Sequence, residues 1–116
     1  MINIAYLYWL HLDCHIDPYT QGYIGYTESI HTRLNTHCSE LRRFKHCNKV
    51  LQEAYICNVG HLFKSVIFKG TKQDCLALEY KLRPTFNIGW NIDAGGNGRT
   101  YPDIDKELFI LEQSKL

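Results

Sequence analysis

The feature that most constrains this chain is a change of hydrophobic period at about Ser29. Before it, two aromatic-rich stretches, Ile4 to Leu12 and Gln21 to Tyr26, read as strands. After it, Ile30, Leu34, Leu41 and Phe44 recur at helical spacing, with Ser29 or Thr27 as the capping residue. Between the strands lie Asp13 and an Asp17-Pro18 turn signal. That connection is too long for a two-residue hairpin, so antiparallel pairing with a polar excursion is expected. Two strands alone bury no stable core, and the rest of the chain must supply more.

The following residues do so in order. Lys49 to about Cys57 predicts a second helix, and Leu62 to Lys69, after Gly60, predicts a buried third strand that Gly70 ends. Thr71, or Thr71-Lys72, opens another helix through Leu76, Leu78 and Leu82. It stops before Pro84, because the residue preceding a proline is pushed out of the helical region. Asp93-Ala94-Gly95-Gly96-Asn97-Gly98 is read as loop, and Asp103 to about Gln113 as a short closing helix. The expected fold is α/β in the α+β sense, a three-stranded antiparallel sheet flanked by helices. Residues 1–116 make one domain, because independent domains typically need on the order of 100 residues each.

A composition of 45% hydrophobic and 22% charged residues suits a chain with a real core. No apolar run reaches the roughly 18 residues of a membrane span. MINIAYLYWLHLDC lacks the basic start and cleavage site of a secretory signal, so an intracellular, cytoplasmic protein with no membrane partner is expected. The 5 cysteines, an odd number at irregular spacings, read as reduced thiols. A net charge of +1 gives no global signature of nucleic-acid binding. Charge is nevertheless uneven: Arg33, Arg42, Arg43, Lys45 and Lys49 face only Glu40 in residues 31–50, whereas Asp103, Asp105, Glu107 and Glu112 make the tail acidic. The basic segment reads equally as a solvated helix face. The tail is free to dock on that helix, in its own chain or in a neighbour.

Several side chains suit phosphodiester hydrolysis, which needs an attacking water, positive charge on the phosphate and donors for the developing charge. Tyr6 and Tyr8 share one strand face, and Tyr23 lies on the next strand. Arg33 and His37 share a helix face. Glu79 sits within the apolar Leu76, Leu78, Leu82 run, where an unpaired carboxylate is costly, and it is the natural ligand for a hard cation such as Mg²⁺. Asn91 is either a turn residue beside the glycines or a support for the site. The Cys14-His15, His37-Cys38 and His46-Cys47 pairs invite a zinc reading, but none has CxxC spacing.

From about Tyr6 to Gly98 these residues resemble the GIY-YIG nucleases, small phage or homing-endonuclease-like members in particular. Tyr23-Ile24-Gly25 is a literal YIG, and Arg33 follows in Ile30-His31-Thr32-Arg33-Leu34 where the family places its helix arginine. His37 and His46 fall where such members carry histidines, Glu79 matches the metal-binding glutamate, and Trp90-Asn91-Ile92 matches the family's asparagine setting. The first motif departs, with Tyr6-Leu7-Tyr8 standing for GIY, and Tyr8 lies farther from Tyr23 than is usual. The resemblance implies a DNA endonuclease using one Mg²⁺, or Mn²⁺ in its place, and no small-molecule cofactor. It implies catalytic roles for Tyr8, Tyr23, Arg33, His37, Glu79 and Asn91: Glu79 holding the cation, Arg33 the phosphate, Tyr8 acting as general base, and Tyr23 and His37 taking or relaying the proton. Arg42, Arg43, Lys45, His46 and Lys49 are weaker candidates for DNA contact. The alternative is a catalytically silent nucleic-acid-binding module of the same fold. Strandedness of the substrate and homo-oligomerisation stay open.

Overall fold

Strand β1 (Ala5–His11) organises the molecule, because it is buried on both faces. Its Ala5, Leu7 and Trp9 pack with Cys75, Leu78 and Leu82 of helix α3 (Lys72–Leu82), whereas Tyr8 and Leu10 pack with Leu34, Leu41 and Leu51 of α1 (Ile30–Arg42) and α2 (Lys49–Cys57). A central strand has no solvent face, so its apolar run is nearly continuous instead of alternating. The computed structural model describes residues 4–108, 110 and 112–116. Over these, helices cover both faces of one antiparallel sheet, a three-layer arrangement with a core on each side.

The sheet has four strands, not the expected three, in the order β2-β1-β3-β4. β2 (Tyr23–Thr27) pairs with β1 through Tyr8↔Gly25 and Trp9↔Ile24, which leaves β2 at an edge. β3 (Phe63–Gly70) pairs on the other side, with Leu7 opposite Phe68 and Tyr8 opposite Val66. Ile67 is therefore an extra residue, and this bulge adjoins Tyr8.

The expected closing helix is not present. Residues 103–108 and 110 have no regular secondary structure, Phe109 and Leu111 lie outside the described residues, and Glu112–Lys115 form β4 against β3. Ile104 and Leu108 have helix-like spacing, but they pack against the α3-side core while Leu116 packs against the opposite one. The tail thus crosses from one layer to the other and covers the otherwise unpaired β3 edge. Its acidic start docks on α3 rather than on the basic helix, since Lys81 Nζ reaches Asp103 Oδ1 at 3.0 Å and the Ile104 carbonyl at 3.0 Å.

The helices follow their punctuation. Asn48 caps α2 by accepting from the Leu51 N–H, and Thr71 caps α3 by accepting from the Asp74 N–H. α1 buries Leu34, His37 and Leu41 as one stripe. Phe44 is not part of it, because the chain turns there with φ +56° and leaves the ring 65% exposed. Of the two expected caps for α1, Ser29 makes no side-chain bond to the helix, and Thr27 Oγ1 accepts only from the Ser29 N–H. No helix among the described residues is long and apolar enough to cross a membrane.

Candidate functional site

Beside the free edge of β2 lies an open cleft of about 1010 Å³, walled by β2, α1, α3 and the loop after Asn91. Tyr8, Tyr23, Arg33, His37, Glu79 and Asn91 all line it, although they come from five separate stretches of chain. At this volume the cleft lies at the upper end of the range for ligand-binding clefts.

Register explains the YIG glycine. Gly25 lies opposite Tyr8, and a Cβ added to it would collide with the Tyr8 ring and hydroxyl. The phenol therefore lies flat across the glycine and reaches α1. There its oxygen is 2.7 Å from His37 Nε2, and Arg33 Nε–H donates to it at 3.3 Å. His37 Nδ1 is in turn 2.7 Å from His46 Nε2. Tyr23 closes the group, its ring centroid 6.2 Å from that of Tyr8 and 5.5 Å from that of His37.

Burial dominates the ionisation of this cluster. It pushes the Tyr8 phenol up, helped by Tyr23 and opposed by Arg33, and it pushes Tyr23 up as well. It drives His37 down to about 3, with Arg33 and then His46 adding to the effect. Both tyrosines and His37 are thus neutral near pH 7. Arg33 makes no ion pair among the described residues; it is exposed, lines the cleft and donates to Tyr8 through Nε, which leaves its terminal guanidinium N–H groups for the cleft.

Glu79 is held from below by the glycine-rich loop. Gly96 N–H donates to Glu79 Oε1 at 2.9 Å, and a Cβ on Gly95 would strike the Glu79 carbonyl and Cγ. Gly96 and Gly98 have φ of +83° and +81°, so this tight turn depends on residues without side chains. Burial raises the Glu79 carboxyl above its ordinary range and the Gly96 bond only partly offsets it. Tyr26 also borders the cleft, but its hydroxyl is buried and has no hydrogen-bond partner among the described residues. A single desolvated carboxylate lining an open cleft fits a hard cation carried mostly by water and phosphate, as Mg²⁺ is. Among the described residues no three His, Cys, Asp or Glu side chains converge, so the Cys-His pairs build no zinc cage there.

Asn91 faces the cleft, but its side chain is spent on the backbone. Its Oδ1 accepts from the Ile24 N–H at 2.8 Å and from Arg83 Nε at 2.9 Å, and its Nδ2 donates to the Ile24 carbonyl at 2.9 Å. It acts as a partner strand for the middle of YIG. Sequence reasoning missed Arg83, which is wholly buried and donates to the carbonyls of Pro18, Tyr19, Gln21, Gly22 and Leu82. Burial pushes its pKa down to about 10, Asp17 opposing, so it stays charged at neutral pH. The polar excursion between β1 and β2 is thereby tied to the end of α3. An arginine before a proline gave no sign of this.

The basic candidates divide. Arg42, Arg43, Lys45 and Lys49 are exposed around the end of α1 and the start of α2 and do not line the cleft. His46 does line it, yet it is only 2% exposed and both ring nitrogens are engaged, which does not suit a surface DNA contact. Tyr6, half-buried, takes no part in the site. Set beside known proteins, the chain matches no family model, no curated protein and no solved structure.

Proposed function

We propose that this chain is a metal-dependent DNA endonuclease of the GIY-YIG type, hydrolysing phosphodiester bonds with one divalent cation, Mg²⁺ or Mn²⁺. The observation that carries the reading is the convergence in one open cleft of an arginine with no ion pair among the described residues, a desolvated carboxylate and a hydrogen-bonded tyrosine–histidine group. Glu79 would hold the cation, the rest of whose shell would be water and phosphate oxygen. When bound, the cation supplies charge to the phosphate oxygens and to the attacking water.

The chain's own residues do the rest. Arg33, anchored through Nε to Tyr8, turns its terminal N–H groups to the scissile phosphate and offsets the charge added in the transition state. As general base, Tyr8 would first give its phenol proton to a solvent water and then take one from the attacking water, while the leaving oxygen takes its proton from solvent. The resulting phenolate is stabilised by the donors around its oxygen, which counter the upward push of burial. Tyr23 packs against both and narrows the approach. Asn91 and Arg83 hold β2 in register and do not touch the reacting atoms.

The test uses supercoiled plasmid and single-stranded circular DNA, each with Mg²⁺, with Mn²⁺ and with chelator. Wild type is expected to nick or break DNA only with metal, and Arg33→Ala and Glu79→Ala to lose roughly 100-fold or more while remaining folded. Folded wild type that binds but cuts neither DNA would overturn the reading in favour of a silent nucleic-acid-binding module.

A further inference from the structure

We propose that His46 is a positioning residue that fixes which nitrogen of His37 carries the proton, so that the Tyr8 oxygen accepts from two N–H donors at once. The proton arrangement follows from one group that cannot change its role. Asn48 N–H points at His46 Nδ1 at 3.0 Å, and a backbone N–H only donates. The Nδ1 of His46 must therefore hold a lone pair, and the neutral ring carries its hydrogen on Nε2. That nitrogen faces His37 Nδ1 at 2.7 Å, which must accept. The hydrogen of His37 is then on Nε2 and is donated to the Tyr8 oxygen at 2.7 Å, where Arg33 Nε–H also donates.

Asn48 is an unusually fixed starting point. It caps α2 through its side-chain oxygen, and its Nδ2 donates to the Trp90 carbonyl at 2.8 Å. His46 is fixed as well, because its backbone N–H donates to Gln52 Oε1, whose amide donates to the Leu41 carbonyl. The two imidazole planes lie within 11° of each other, so the wire is nearly flat. It also has one direction. For neutral His37 to accept the Tyr8 proton, both rings would have to exchange tautomers, and His46 Nδ1–H would then face the Asn48 N–H, donor against donor. Forming a His37 imidazolium instead is opposed by burial and by Arg33. The histidines therefore brace the Tyr8 oxygen as donors and do not accept its proton.

The tautomer assignment stands apart from the nuclease reading, whereas its effect on cleavage rests on it. Side-chain ¹⁵N–¹H correlation on isotope-labelled wild type at pH 7, without DNA or metal and assigned through bonds from the backbone, is expected to show His37 and His46 both as neutral Nε2–H tautomers. An Nδ1–H or doubly protonated ring at either position overturns the proposal. In His46→Phe, His37 is expected to lose its single tautomer and cleavage to slow roughly tenfold or more. His46→Gln, which restores an N–H donor toward His37, is expected to recover about threefold or more of that loss. An unchanged His37 tautomer in a folded His46→Phe, or equal slowing in both variants, overturns it too. If wild type cleaves no DNA, the tautomer measurement still decides this proposal and only the nuclease reading falls.

Discussion

Two buried polar networks flank strand β2, and they are built on opposite plans. Around Arg83 and Asn91, the donors shown meet backbone carbonyls and the Asn91 oxygen accepts from two N–H groups, so the network is closed. Around Tyr8, Arg33 and Glu79, each side chain is hydrogen-bonded only in part, the arginine and carboxylate form no ion pair among the described residues, and all three line the cleft. A closed network in a low dielectric specifies structure, and an open one stores interactions for something that arrives later. The difference assigns architecture to the first and chemistry to the second. It also separates two arginines that look alike in sequence.

Replacing Arg83 tests the closed side hardest. Arg83→Met removes a buried cation and leaves several carbonyls without donors, and the expected cost is about 3–5 kcal/mol in denaturant unfolding. A loss under about 1 kcal/mol would show that the network is dispensable and would break the contrast.

Acid should act on the open side. His37 has a folded pKa of about 3, far below its ordinary value, so its contribution to stability is present above about pH 6.5 and is lost as pH falls toward 3. Wild type is expected to lose about 2 kcal/mol between pH 7 and pH 5 from this source. His37→Gln should be the less stable protein at pH 7 and should show a shallower acid dependence. Equal slopes would mean that the histidine wire does not titrate with unfolding.

Much of this plan was legible in the sequence, for identifiable reasons. The stretch from Lys49 to about Cys57, closed by Gly60, placed α2, and its ends are where the residues put them. Thr71 and Pro84 did the same for α3. The YIG and glycine-rich segments announced themselves as glycine, but which side chains press on Gly25 and Gly95 appears only when β1 and α3 are laid over them. β4 was invisible because Glu112-Gln113-Ser114-Lys115 has no apolar alternation, and its pairing with β3 is carried by backbone bonds. Arg83 was invisible because its partners are carbonyls, which every residue has. Tyr26 stood beside the motif without a pattern of its own, and its unsatisfied hydroxyl is a property of burial alone.

If the open network is kept open for function at the expense of the fold, Glu79→Gln separates the two effects. Because burial raises the Glu79 pKa, folding binds its proton more tightly than the unfolded chain does, and stability falls as pH rises through the folded pKa. The amide keeps an oxygen for the Gly96 N–H without the charge. Thermal unfolding at pH 7 and metal-dependent plasmid cleavage, measured on the same preparation, should therefore move in opposite directions. The expected result is a gain of about 0.5–2 kcal/mol in stability together with loss of cleavage. A variant that is less stable than wild type, or that still cuts, would contradict it.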